Sequence, residues 1–199
     1  MKSCQPYTER HELNLWEYML LASSDEAVLQ KIMVEKKYFE DKYETDIAIK
    51  TLPHIIIANF LAKEIIEDRI YRLLQNVCNQ NYSFGTALNN FSGLPSHSIF
   101  LRVQNIQPFK HLHSGLQALD NLLKTNECPP LQIVDNPHMT IARQLPEEIY
   151  NEAIKEYAQR DFHELFTVDK LALLKRENRY EKWQHVNYFY LPQERNLFN

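Results

Sequence analysis

Glycine is scarce, at three residues in 199, and no Ser/Gly/Pro-rich tract or block of like charge marks a linker. The sequence therefore reads as one compact unit over residues 1–199. Long apolar runs are missing too: no stretch of about 18 apolar residues is present to span a bilayer. The opening Met1-Lys2-Ser3-Cys4-Gln5-Pro6 lacks the apolar segment of a signal peptide, so the expectation is a cytoplasmic protein with no membrane partner. Cysteine is limited to Cys4, Cys78 and Cys128, far apart and without Cys-x-x-Cys spacing, which predicts reduced thiols and no zinc site. Positive charge is not in excess. With 22 Lys plus Arg against 26 Asp plus Glu, the net charge of -4 offers no global attraction to a nucleic-acid backbone. A polyanion must then be drawn in by a local patch.

What the chain does have is 44% hydrophobic residues, enough for a core with room for a cleft. The run Tyr18-Met19-Leu20-Leu21 within 17–22 reads as a buried strand, and Ser23 with Glu26 has the spacing of a helix capping box. Val28, Leu29, Ile32, Met33, Lys36 and Phe39 then recur at helical spacing, with Lys36, Lys37, Glu40, Asp41 and Lys42 expected largely on the wet side. Pro53–Ala58 is β-branched and strand-like, and Ile66, Ile70, Leu73, Leu74 and Val77 form one helical stripe. Ser98–Val103 reads as a strand. Phe109, Leu112, Leu116, Leu119 and Leu123 predict one amphipathic helix starting near Pro108. Pro137–Ala142 is the next strand, and Pro146-Glu147-Glu148 opens a helix with acids at its positive end. Two strands, around Phe166–Leu174 and His185–Leu191, finish a mixed pattern of α+β or α/β class.

The most informative feature appears when the chain is laid on itself at an offset of 84 (138 − 54 = 84). Residues 53–65, PHIIIANFLAKEI, then align without gaps with residues 137–149, PHMTIARQLPEEI. Proline, histidine, isoleucine, alanine, leucine, glutamate and isoleucine coincide, and each copy runs from strand into helix. Two copies of one unit predict two lobes about an approximate two-fold axis, with His54 and His138 opposite each other.

Residues i and i+2 of a strand share a face, so His138 and Thr140 should point the same way, their roots about 6 to 7 Å apart. Imidazole titrates near neutrality, so one histidine can accept a proton while its partner donates one. A hydroxyl beside them can hydrogen-bond the non-bridging oxygens of a phosphodiester as charge builds. This chemistry needs no metal and no cofactor.

Pro-His-Met-Thr-Ile-Ala-Arg at 137–143, with its degenerate twin at 53–59, resembles the paired His-x-Thr/Ser motifs of the two-histidine phosphoesterases, and within them the 2'-5' RNA ligase family. The resemblance covers the chain from about Tyr18 to Tyr190. It implies a bilobed α+β fold, two antiparallel sheets related by a pseudo-two-fold axis with helices outside, around a central cleft. It also implies activity on 2',3'-cyclic phosphates or 2'-5' bonds of RNA ends or small nucleotides, by hydrolysis or, in reverse, ligation. His138 and Thr140 match the second motif, and His54 the histidine of the first. Ile56 departs from it, standing where a hydroxyl belongs. Loss of one such donor typically costs about 10² to 10³ in rate.

Arg143 has the parity that sends it away from His138 on a straight strand, although the resembling motif often carries an arginine there and the strand is ending, which keeps it a candidate substrate-binding residue. Lys175, Arg176 and Arg102 are further candidate phosphate partners. His111 and His113 sit in an expected helix, where i and i+2 diverge, and read as surface. Tyr82, Phe84, Phe91, Phe100, Trp183 and Tyr188 supply aromatic surface, but the sequence singles out none as a base platform. The rival to an enzyme is a binder of nucleotides or RNA ends whose chemistry Ile56 has blunted. A weaker rival is a structural protein whose repeat records an old duplication.

Overall fold

The computed structural model describes residues 15–45, 52–94 and 97–193. In chain order the elements are β1 (Leu15–Ala22), α1 (Glu26–Tyr43), β2 (Ile55–Lys63), a 3₁₀ turn (Glu64–Ile66), α2 (Glu67–Asn79), β3 (Phe84–Leu94), β4 (Ser98–Val103), α3 (Gln107–Gly115), α4 (Gln117–Thr125), β5 (Gln132–Ile133), β6 (His138–Ala142), α5 (Glu147–Tyr157), β7 (His163–Val168), β8 (Lys170–Arg176) and β9 (Gln184–Tyr190). The class is α+β. The strands form one antiparallel sheet in the order β7-β3-β4-β6-β2-β1-β8-β9, with the short β5 also paired to β2. The two expected sheets are the two halves of that order, four strands on either side of the β6–β2 junction.

At that junction the register gives one pair, Ile55 with Met139. These are equivalent residues of the repeat, since 55 + 84 = 139. An antiparallel pair formed by a residue and its own equivalent is what a two-fold axis through that pair produces. A second signature is the bulge. Leu20 faces Ala58 while Leu21 faces Ile56, so β2 carries one extra residue, Ile57. Ile99 faces Ala142 while Phe100 faces Thr140, so β6 carries Ile141 in the same way, and 57 + 84 = 141. A bulge reverses the side-chain parity of whatever follows it.

Helices cover one face of the sheet. α5 packs on β3 and β4, α2 on β9, and α1, which leaves β1 in one half, crosses to cover β6 and β7 in the other. The main core lies on this side, with Leu20, Ile55, Ile57, Leu101, Met139, Ile141 and Leu173 at no more than 1% exposure against Ile32, Phe39, Ile70, Leu119 and Leu123 of the helices. The opposite face stays open and carries the alternate residues of each strand.

Several expectations are corrected. The cap of α1 is Asp25, whose carboxylate accepts from the Val28 amide at 2.9 Å, not Ser23, because the helix begins later than a Ser23 cap requires. Lys36 is buried, at 1% exposure, since it falls on the same stripe as Val28, Ile32 and Phe39, and helical periodicity overrides its polarity. The helix expected over Phe109–Leu123 is two, broken at Leu116 after Gly115. The strand expected around Phe166–Leu174 is also two, β7 in one half and β8 in the other, meeting at Asp169. β3 is hidden in the sequence because Gly85, Gly93 and the Asn89-Asn90 pair resemble turn signals; Asn90 does take a left-handed φ of 55°. Cys78 and Cys128 are free and buried, and Cys4 lies outside the described residues.

One polar cluster pins α2 to the sheet. Glu67 accepts from Tyr18 Oη at 2.7 Å, from Lys175 Nζ at 2.7 Å and from Tyr71 Oη. Tyr18 is 1% exposed, so removing its acceptor strands a buried hydroxyl. Glu67→Ala is expected to cost about 2–3 kcal/mol in denaturant unfolding, and Glu67→Gln, which keeps an acceptor, well under that.

Candidate active site

The two repeat histidines sit in matched settings. His54, at the entrance to β2, has Nδ1 at 2.7 Å from the Leu52 carbonyl. His138, first in β6, has Nδ1 at 2.9 Å from the Asn136 carbonyl. In both cases the partner is the carbonyl two residues back. A carbonyl only accepts, so each Nδ1 carries the proton in the neutral ring and each Nε2 is left as the working nitrogen. Continuing the Ile55–Met139 register one residue each way places Thr140 opposite His54 and Ile56 opposite His138, all four on the open face. The histidines are then diagonal neighbours, with roots about 7–8 Å apart, a span across which two imidazoles can reach one phosphate.

The surroundings break the symmetry. On the β6 side, the Thr140 hydroxyl has no hydrogen-bond partner among the described residues. Phe100 packs on the His138 ring with centroids 4.7 Å apart, and Arg102 is the cross-strand partner of His138. A cavity of about 560 Å³ opens here, lined by His138, Phe100, Arg102, Ile106, Asp135 and Asn136 among others. On the β2 side, Ile56 packs into a small apolar cluster with Met19, Leu21, Ala172, Leu174 and Trp183, separate from the main core and on the open face.

Arg143 is exposed, and the bulge changes its expected direction. Because Ile141 is the extra residue, Ala142 takes the core side opposite Ile99, and alternation carried one residue past the strand puts Arg143 on the His54 side of the sheet. Its charge is felt at His54: burial chiefly holds that imidazole below its ordinary value, the bond to the Leu52 carbonyl opposes this, and the Lys36 and Arg143 charges add to the lowering. The Lys36 ammonium is itself brought down to about 8, mainly by burial and further by Arg143.

The other candidates separate. Lys175 lies on the helix-covered side in ion pairs with Glu64 and Glu67. Arg176 is on the open face but bound to Glu17 at 2.6 Å and laid over Trp183. His111 is exposed, as expected for a helix surface, while His113 is half-buried, and burial lowers its pKa. His97 is tied to the Leu145 carbonyl at 3.1 Å and stacked on Tyr150. Among the described residues, no group of three or more His, Cys, Asp or Glu is placed to hold a metal ion, and no helix is long and apolar enough to cross a membrane. Sequence reasoning does not single out Phe100 as the residue packed on His138. Parity from Ser98 onward would have found it.

Comparison with known proteins agrees with this fold. No curated protein matches the chain by sequence. Among solved structures, E. coli LigT complexed with NADP+ is similar over 90% of this chain and 99% of its own, at 13% identity and a TM-score of 0.66. E. coli LigT complexed with 3'-AMP covers the same shares at 15% identity and a TM-score of 0.61. TT0787 of Thermus thermophilus is similar over 90% of this chain and 100% of its own, at 17% identity and a TM-score of 0.65. At these identities the likeness is one of fold. The family model of the 2'-5' RNA ligase superfamily matches residues 28–179, which span both histidines, both bulges and the junction between the halves, and the chain belongs to that superfamily.

Proposed function

We propose that the protein is a metal-independent phosphodiesterase acting on 2',3'-cyclic phosphates or 2'-5' bonds of RNA ends or nucleotides. The observation that carries this reading is the matched pair of imidazoles, each held by a carbonyl two residues back, with a two-fold axis between them. In hydrolysis, His54 takes a proton from water as its oxygen attacks phosphorus. The bond from phosphorus to a ribose oxygen breaks, and His138 protonates that oxygen, leaving a phosphomonoester and a free hydroxyl. With a ribose 5'-hydroxyl in water's place, the same steps join two ends. Thr140 donates to a non-bridging oxygen, and Arg143, on the His54 side, faces the phosphate charge. Assignment of the base to His54 follows from its burial and its two cationic neighbours, which favour the neutral ring.

That assignment fixes a pH dependence. A lowered pKa means that His54 stays neutral until the pH falls below the ordinary histidine value of about 6.5, so the acid limb of kcat/KM lies below that value. Arg143→Ala removes one positive neighbour and moves the limb up towards it; a limb that stays in place removes Arg143 from the site. Stability follows the same sign: the native state binds fewer protons at His54 than the unfolded chain, so stability contributed there is complete above about pH 6.5 and declines as the pH falls towards the folded value.

Turnover of 2',3'-cyclic nucleotides and of a 2'-5' dinucleotide in the presence of chelator tests the proposal, with release of a ribose phosphomonoester expected. Binding of cyclic nucleotide without turnover would favour a second reading, a nucleotide or RNA-end binder. That reading draws on Ile56, whose apolar packing leaves the phosphate with a hydroxyl on one side only.

A further inference from the structure

A second recess, of about 250 Å³, lies on the open face of the β2 half. It is lined by Asn59, Leu61, Gln132, Pro129, Trp183 and Arg176, among others. One wall is formed by Trp183 with the Arg176 guanidinium over its ring, 4.3 Å from the centroid. The guanidinium is held in place, since Nε and Nη2 both reach Glu17 Oε2 at 2.6 Å. With its charge matched by Glu17, Arg176 is not a free cation here. Trp183 in turn rests on the apolar cluster that contains Ile56, so the recess adjoins the cleft beside His138.

The rim carries a different chemistry. Asn59 and Gln132 are cross-strand partners where β5 pairs with β2, which sets their side chains next to each other. Neither carboxamide has a hydrogen-bond partner among the described residues. Each offers two donors and an acceptor, the complement of a heterocycle edge. Among the described residues no uncompensated cation lines the recess, which argues against a second phosphate as its occupant. At about 250 Å³ it is smaller than pockets that enclose whole drug-sized ligands, roughly 300–1,000 Å³, and suits a single planar ring system.

We propose that this recess binds the nucleobase of the substrate, stacked against the Trp183–Arg176 pair with its edge read by Asn59 and Gln132. The proposal rests on the phosphodiesterase reading for its link to turnover, but base binding stands apart from the chemistry. It gives Ile56 a purpose as well: the position that lost a phosphate contact supports the floor under Trp183, so the β6 half grips phosphate while the β2 half grips the base.

Two experiments on the full chain separate the claims. In the first, adenosine, which has no phosphate, is titrated against the native protein and His138→Ala with tryptophan fluorescence as the readout. Quenching is expected in both and is lost in Trp183→Phe, where Trp16 still reports. In the second, KM and kcat are compared for a nucleoside 2',3'-cyclic phosphate and for base-free ribose 2',3'-cyclic phosphate. An Asn59→Ala/Gln132→Ala double variant, and separately Trp183→Ala, should raise KM for the nucleotide about tenfold or more with kcat little changed, and leave the base-free substrate unaffected. Trp183→Phe, which retains a flat ring, should restore most of the affinity. No quenching by adenosine, or equal KM for both substrates in the native protein, overturns the base site. Quenching without turnover of either substrate retains it and overturns the phosphodiesterase reading instead.

Discussion

His54→Ala and His138→Ala should each lower kcat on a cyclic nucleotide by about 10² to 10⁴, the usual worth of a positioned general acid or base, with the melting temperature nearly unchanged. Both rings stand at the open face, half-buried, and neither belongs to the packed core formed by Ile55, Met139, Ile57 and Ile141. The double variant should be little worse than the poorer single one, because one proton is taken and one given in the same displacement, and groups that act as a unit are not additive. Product of the two losses in the double variant would mean that the histidines act at independent steps. Loss in one alone would mean that the site is not built across the two-fold axis.

Thr140→Val should lower kcat by about 10² to 10³ with a smaller change in KM, since it removes a donor whose bond strengthens as charge builds at phosphorus. Register makes this threonine the cross-strand neighbour of His54, so its loss falls on the histidine whose own motif already lacks a hydroxyl. The reverse change, Ile56→Thr, places a hydroxyl opposite His138 and should raise kcat, at a cost of about 1 kcal/mol or more in stability for opening the contact with Met19, Leu21 and Leu174. If Ile56→Thr leaves kcat unchanged and weakens nucleotide binding, the apolar floor matters more to this protein than a second phosphate contact. Steady-state kinetics beside thermal melts of the same preparations decide both.

The repeat makes the site legible before the fold is. An ungapped match of 13 residues singles out His54, His138, Thr140 and Ile56 as the candidate site, and its offset matches the register by which the halves meet at Ile55 and Met139. What sequence parity does not supply is the bulge. Nothing in Ile57 or Ile141 announces an extra residue, yet each reverses the side reached by its successor, which is why Arg143 faces the His54 side and why Asn59 enters the second recess. Lys36 defeats its residue type for a related reason: polarity argues for solvent, while its place on the stripe of α1 puts it under β6. Boundaries between halves are also hidden, because β7 and β8 are consecutive in sequence and each buries only part of its length, but they belong to opposite ends of the sheet order. Local pattern gives elements; which half an element joins depends on pairing with residues far along the chain.

The central claim, one phosphate held between two equivalent histidines, is tested most directly by histidine-resolved NMR during titration with a nucleoside monophosphate. Of the eight histidines, His54 and His138 should shift together along one binding curve, while His97, His111 and His163, which lie outside the cleft, stay in place. Movement of only one of the pair, or two curves with different midpoints, would contradict a shared site and with it the two-histidine mechanism.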